Sequence, residues 1–372
     1  MDPVPWREAW HDALYAAERG FYVARGGPAA HFTTAAHGPT GRVLAEALLS
    51  LWAAEHGTDL PSVVVDVGAG RGELATHLVR ALDREAPPRP EADVECAVSP
   101  RDEGGKLGTR RMGGRDDGEC AVSAGDERGE LGTRVVAVDV VDRPEGLDQR
   151  VEWLRSPGGA ALPTELSDLD DVLVIAHEWL DVVPCTVAEV DATGALREVL
   201  VDPATGEELL GAPLTEGELR WARDHWTTSA TGDRVEVGLT RDLAWAGLVS
   251  RVRSGTVVAV DYGHTAAARP RGGTLTAYAD GGLTRPVPDG SCDLTAHVAM
   301  DTLDADTVRT QREALRALGV RGATPRHELA TSDPLAYLAG LERAGAEARL
   351  LDRDGFGGFW WAVKQVHEHD VA

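Results

Sequence analysis

An α/β protein built on a Rossmann-like sheet is what this 372-residue chain predicts, on three observations. First, the apolar, β-branched run Val63–Val67 breaks into glycines and passes at once into Glu73–Leu82, where Leu74, Leu78, Val79 and Leu82 share one helical face. Strand, glycine turn and helix in close succession form the first unit of an open α/β sheet. Second, Val135–Val141, Val172–Ala176 and Thr256–Val260 are short apolar runs of the kind found in parallel strands buried on both faces. Third, residues 1–60 carry helical spacing, while residues 185–255 alternate differently and read as an insertion between the fourth and fifth strands.

Each segment follows from its own pattern. In Gly41–Glu55 the residues Leu44, Leu48, Leu51 and Trp52 recur at helical intervals, which gives residues 1–60 the character of an N-terminal helical segment. Residues 61–184 hold the sheet core. Within it, Glu95–Arg110 is repeated as Glu119–Arg134, a duplication rich in Gly, Arg, Asp and Glu. Two copies are too few for a solenoid, and so little apolar surface does not offset the entropy of ordering, so residues 88–134 are expected to form a mobile surface loop. Residues 185–255 form a substrate-side insertion, and residues 256–372 complete the sheet and the cleft. Pro334–Ala344 reads as a helix, Glu347–Leu351 as a strand and Phe359–Val366 as a last strand, the two strands making a closing hairpin.

Composition excludes more partners than it names. Acidic residues outnumber basic ones 61 to 37, a net charge of −24 that repels phosphate backbones and argues against nucleic acid. The same surface would attract a basic protein, although solubility alone is reason enough for it. No apolar run approaches the ~18 residues of a membrane span. The start MDPVPWREAW has neither the basic residues nor the apolar stretch of an export signal. Cys96, Cys120, Cys185 and Cys292 form no CxxC pair, so a reducing cytoplasm without disulfides or a metal site is expected. The oligomeric state stays open.

The sharpest local signal is Val63-Val-Val-Asp-Val-Gly-Ala-Gly-Arg-Gly-Glu-Leu. Glycines at 68, 70 and 72 remove Cβ atoms where the backbone must turn and approach a ligand, and the following helix points free N–H groups at it. A dinucleotide site of the form GxGxxG would need glycine at 73, which is Glu73, and no GK[ST] follows as in a P-loop. With Asp66 two residues ahead of the first glycine, the pattern is the D-x-G-x-G-x-G form common in class I methyltransferases. There the helix N-terminus receives the methionine carboxylate of S-adenosyl-L-methionine while an acid helps hold its ammonium. Asp66, Gly68, Ala69, Gly70 and Gly72 are therefore the first candidate cofactor contacts. Asp139, at the end of the next strand, is placed to bind the ribose hydroxyls, with Asp142 its near competitor.

The run Val172–Ala176 opens onto His177, Glu178 and Asp181. The two acids are three residues apart and can face one way on a turn or helix start. Paired carboxylates can grip a guanidinium and aim one nitrogen at a sulfonium-borne methyl, a reaction in which positioning supplies much of the rate. Either acid would equally suit a helix N-cap, and a lone His177 is more often structural than catalytic.

Taken together, these segments resemble the MidA-like, or DUF185, family of S-adenosylmethionine-dependent methyltransferases, whose mitochondrial members assist assembly of respiratory complex I. Val63–Leu74 matches its glycine-loop motif, and Ala176-His-Glu-Trp-Leu-Asp-Val-Val-Pro184 is similar to its A-N-E-[FW]-[FL]-D-A-[LV]-P. Val260-Asp-Tyr-Gly-His, Arg271-Gly-Gly-Thr-Leu and Asp293-Leu-Thr-Ala-His-Val298 resemble its D-Y-G, R-G-T-L and D-[IL]-T-A-x-V motifs, and Phe32-Thr-Thr is a weaker echo of F-x-T-S. The resemblance implies cofactor contacts at Asp66, Gly68, Gly70 and Asp139 and a substrate-facing role for Glu178 and Asp181. It also implies that Asp261, Tyr262, Asp293, Thr295 and His297 line the same cleft. His177 stands where the family usually has Asn, and the sequence after Leu275 lacks the basic and histidine residues usual there; both departures touch the substrate side.

The expectation is methyl transfer to a protein side chain, with arginine suggested by the mitochondrial relatives. Its rivals are a small-molecule O- or N-methyltransferase, whose mark would be a closed apolar pocket, and a non-catalytic assembly factor that keeps the fold. A dinucleotide oxidoreductase comes last because of Glu73.

Overall fold

A computed structural model describes residues 2–24, 34–57, 59–85 and 132–368. Most of the duplicated loop lies outside the described residues, as do Cys96, Cys120, Phe32 and Thr33. The central sheet has seven strands: β1 (Val63–Val67), β2 (Arg134–Asp139), β3 (Val151–Arg155), β4 (Val172–His177), β5 (Gly255–Asp261), β6 (Thr307–Thr310) and β7 (Trp360–Val366). Their spatial order is β3-β2-β1-β4-β5-β7-β6. β1 to β5 run parallel, and β7 lies antiparallel between β5 and β6.

The strand order reverses between β1 and β4, and ligands of open α/β sheets bind in the crevice at such a point. Gly68 and Glu178, the first residues beyond these two strands, open onto it. Side chains alternate across the sheet. Val64 faces the helices Gly38–His56 and Glu73–Glu85, while Val65 and Val67 face Trp245 and Leu248 of the helix Leu239–Val249. No helix among the described residues is long and apolar enough to cross a membrane.

Two readings are corrected. Glu347–Leu351 is not a strand: the helix that begins at Pro334 runs on to Leu350, started by the Asp333 carboxylate accepting the Ala336 N–H at 3.0 Å. Ala346 and Leu350 lie four apart and bury on one helical face, a period the short apolar stretch alone did not disclose. The antiparallel strand β7 pairs instead with β6. β3 escaped notice because Val-Glu-Trp-Leu-Arg is a half-exposed edge strand with no continuous apolar run.

A second, five-stranded sheet is built from Val4–Pro5, Thr186–Val190, Leu196–Val201, Glu208–Pro213 and Arg234–Val237. Val4–Pro5 pairs with Leu200 and Val201, and Trp6, Trp10 and Leu14 of the helix Trp6–Tyr15 pack on Cys185, Val187, Val199 and Val201. The beginning of the chain and the insertion thus share one core, which sits against a small sheet of Thr276–Ala279, Gly282–Thr284 and Asp293–Thr295.

Candidate active site

β1 ends in a turn that only glycine fits. Gly68, Gly70 and Gly72 have φ of 76°, 60° and 78°, in the left-handed region. The N–H groups of Gly68 and Ala69 donate to the Val138 carbonyl at 2.9 and 3.1 Å, which locks the turn to β2. A Cβ on Gly68 would lie 3.3 Å from Cβ of Trp179, and one on Gly72 only 2.6 Å from Cδ1 of Leu147.

Beside this turn lies a cavity of about 270 Å³, walled by Gly68, Gly70, Asp139 and Trp179 and by two tyrosines from the N-terminal segment, Tyr15 and Tyr22. The Asp139 carboxylate accepts the Gly70 N–H at 2.8 Å and the Val141 N–H at 3.3 Å, while burial raises its pKa to about 6. Asp142 touches the same cavity, but its side chain is 85% exposed and paired with Arg155 at 2.8 Å. Between the two competitors, Asp139 is the carboxylate held in place at the cavity wall.

A second cavity, of about 280 Å³, adjoins the first across Gly68, Gly70, Tyr22, Glu178 and Val182. Its walls bring together Asp66, Ala69, His177, Glu178, Asp181, Tyr262, Asp293 and Thr295, residues from three strand ends and the small sheet. Thr34, the last residue of the Phe32-Thr-Thr echo, lines it as well.

Its electrostatics are those of buried acids, with no Lys or Arg on its walls among the described residues. Burial, reinforced by Asp181, pushes Glu178 up to about 8, and burial pushes Asp293 up to about 8 although the Tyr22 hydroxyl donates to it at 2.6 Å. Asp181 is raised by burial against a 2.7 Å hydrogen bond from Thr295, and Asp66 is raised to about 7. One oxygen each of Asp66, Glu178 and Asp181 is buried with no hydrogen-bond partner, a costly state unless a ligand completes it. The His177 ring is held neutral, its pKa lowered to about 4 by burial, and its Nε2 is also unpartnered. Glu178 itself sits at φ 52°, its N–H donating to the Val260 carbonyl at 2.9 Å at the end of β5. Strain in a non-glycine residue of this kind concentrates at functional sites.

Three residues expected at the site stand off the cavity walls. Gly72 packs on Leu147, and its glycine is explained by its φ and that contact. Asp261 is fully buried behind the acids, where its Oδ2 accepts the N–H groups of Leu180 and Asp181 at 2.9 and 3.2 Å. His297 is exposed and stacks on Tyr262 with ring centroids 6.0 Å apart. Nor does a helix begin at Glu178: residues 178–185 form turns leading into Thr186–Val190, so neither acid is an N-cap. Sequence reasoning missed Tyr15, Tyr22 and the buried Arg241. Arg241 falls on the apolar stripe Arg241, Ala244, Trp245 and Leu248, and a cation in that row is a signal that a buried role exists. The tyrosines gave no such signal, since they reach the site only through tertiary packing.

Residues 43–319 match the model of the family described as "Putative S-adenosyl-L-methionine-dependent methyltransferase". The chain belongs to this family. The match agrees with the MidA-like resemblance and makes the protein an S-adenosyl-L-methionine-dependent methyltransferase. Two solved structures from Burkholderia thailandensis share its fold. One is a COG1565 superfamily member bound to S-adenosyl-homocysteine, 20% identical, with a TM-score of 0.65 over 97% of this chain and 87% of that one. The other is a native structure of a COG1565 superfamily protein, also 20% identical, with a TM-score of 0.66 over 98% and 87%. No curated protein matches the chain.

The residues of this methyltransferase fit its methyl donor. The left-handed glycine turn leaves its backbone free of Cβ atoms at the first cavity, Asp139 presents a carboxylate there, and Asp66 has an unpartnered oxygen at the second. Among the described residues no group of His, Cys, Asp and Glu is arranged to hold a metal ion.

Proposed function

We propose that this methyltransferase modifies a protein side chain, with arginine the favoured acceptor. The observation that carries the reading is the second cavity, where Asp293 converges with Asp66, Glu178 and Asp181, the last three each with one buried oxygen unpartnered. Carboxylates removed from water at such a cost are best satisfied by a cation that donates several hydrogen bonds, and a planar guanidinium does so in a fixed fork. S-adenosyl-L-methionine, when bound, supplies a methyl group on a positively charged sulfur. Asp139 and the Gly68–Gly70 backbone would hold it, and Asp66 would offer its unpartnered oxygen to the ammonium. Glu178 lines both cavities; it gives up its own proton as the cationic acceptor docks against it, then orients the accepting nitrogen and takes up the proton that nitrogen loses. His177, neutral beside it, leaves the acids as the charge that meets the acceptor.

The test is transfer from methyl-labelled S-adenosyl-L-methionine into a cell extract, followed by mass spectrometry of whatever becomes labelled. Methylated arginine in a protein is the expected product. Label confined to a metabolite would replace this reading with a small-molecule acceptor, and an absence of cofactor binding in calorimetry would leave only a non-catalytic role.

A further inference from the structure

Behind the acidic wall lies a cation that no carboxylate among the described residues neutralises by direct contact. Arg241, in the helix Leu239–Val249 of the insertion, is 1% exposed. Its Nε donates to the Val183 carbonyl at 3.0 Å, Nη1 to those of Ala296 and His297 at 3.0 and 2.9 Å, and Nη2 to that of Asp181 at 2.8 Å. The guanidinium also lies over the Trp10 ring, 5.5 Å from its centroid. These four hydrogen bonds all end on backbone oxygens of two loops. One loop carries Asp181, and the other follows directly from Thr295, whose hydroxyl donates to Asp181.

We infer that Arg241 is a positioning residue for methyl transfer: it fixes the two loops that present Asp181 and Thr295, and its charge is the internal counter-ion that allows Asp181 and Asp261 to ionise. A buried guanidinium is costly to leave without an anion, and backbone dipoles alone supply only part of what it loses from water. Of the titratable groups around it, Asp181 and Asp261 each keep one buried oxygen unpartnered. Asp242, on the same helix, is already satisfied by Trp221 Nε1 and the Thr302 hydroxyl, both at 2.6 Å. Burial lowers His264 and raises the Cys185 thiol, and His297, although its outer face is exposed, is lowered by partial loss of water and by the Arg241 charge, so all three are neutral near pH 7. The compensating charge therefore falls on Asp181 and Asp261. In both, burial raises the pKa and Arg241 opposes it; in Asp261 the neighbouring Asp181 and Glu178 charges add to the rise, so Arg241 balances one charge shared by the Asp181–Asp261 pair.

This inference rests on the site but not on the identity of the acceptor, and its test needs none. The full chain, labelled with ¹³C at the aspartate carboxyl carbons, is titrated between about pH 4 and pH 10, with Asp181 and Asp261 assigned from Asp181→Asn and Asp261→Asn. Arg241→Met should raise their midpoints by about one pH unit or more, since its guanidinium is held on the Asp181 carbonyl at 2.8 Å and a nearby buried opposite charge shifts a carboxylate by about that much. Arg241→Lys keeps the charge and should stay close to wild type in midpoint while losing thermal stability, because an ammonium cannot span the carbonyls that the fork bridges. Affinity for S-adenosyl-homocysteine, measured by calorimetry, should stay within about twofold in both, as Asp139 and the glycine turn do not touch Arg241. If Arg241→Met does not fold, Arg241→Gln, neutral but with amide donors for the carbonyls, takes its place. Midpoints unchanged in the neutral variant would reduce Arg241 to a structural brace and overturn the inference. Labelling of a small molecule in the extract experiment would overturn the arginine reading and leave this one standing.

Discussion

Glu178 occupies the seam between the two cavities with its backbone at φ 52° and one carboxylate oxygen buried without a partner. Glu178→Gln keeps the shape and removes the group that can ionise and accept a proton. It should leave S-adenosyl-homocysteine affinity near wild type and lower transfer about a hundredfold or more, the loss expected when a proton acceptor is removed; equal turnover would remove Glu178 from the chemistry. Asp139 acts on the other side of the seam. Asp139→Ala removes a charged acceptor from the cavity wall and frees the Gly70 N–H, so calorimetry should show cofactor affinity weaker by roughly tenfold or more, about 1.5–3 kcal/mol. The acids also set a pH dependence. Glu178 and Asp293 hold protons up to about pH 8 in the folded chain, well above the ordinary carboxylate range of the unfolded one. The folded state then binds more protons through that interval, so the stability they contribute is complete in acid and is lost as pH rises through about 8. Thermal midpoints of the ligand-free enzyme should fall from pH 5 to pH 9, and Asp293→Asn should flatten that slope. A cationic acceptor reverses the demand and should bind more tightly as pH rises.

Among elements, the turn after β1 separates two uses of glycine that the sequence presents as one motif. Gly68 faces Trp179 at the cavity wall, whereas Gly72 faces Leu147 away from it. Gly72→Ala should cost about 1–2 kcal/mol in a denaturant melt, from its left-handed backbone, with cofactor affinity nearly unchanged. Gly68→Ala carries the same backbone strain and also displaces the wall, so affinity should fall about tenfold or more. If both variants bound the cofactor equally weakly, the distinction between them would be lost. The β1 unit was legible because a buried strand, a glycine turn and an amphipathic helix each have a local period. β3, half exposed at the edge, and the last helix, whose end imitates a strand, were not, because pairing and packing decide such short segments.

For the molecule as a whole, the site is assembled by layers distant in sequence. Trp10, buried in the first helix, donates to the Leu294 carbonyl at 3.0 Å and lies under Arg241, so the N-terminal segment, the insertion and the small sheet meet at one point. Trp10→Ala should destabilise the protein by about 3–5 kcal/mol, as large-to-small core changes do. It should also loosen the acidic wall, visible as faster amide exchange at Leu294 and Thr295. Exchange unaltered there would show that the first helix stabilises the chain without supporting the site.

The sequence by itself determined the sheet class, the methyl donor and most of the acids at the site. Each of these is written in a local pattern: β-branched runs, glycines two apart behind an aspartate, and carboxylates at the ends of strands. The site's completion was decided by tertiary structure alone. Tyr15, Tyr22 and Arg241 enter from segments far along the chain, and Asp261 retreats behind the wall to hold the backbone of Leu180 and Asp181. The physical reason is that burial creates the chemistry here. A carboxylate in the sequence is an ordinary acid until packing removes its water, and only the folded arrangement shows which oxygens then lack a partner.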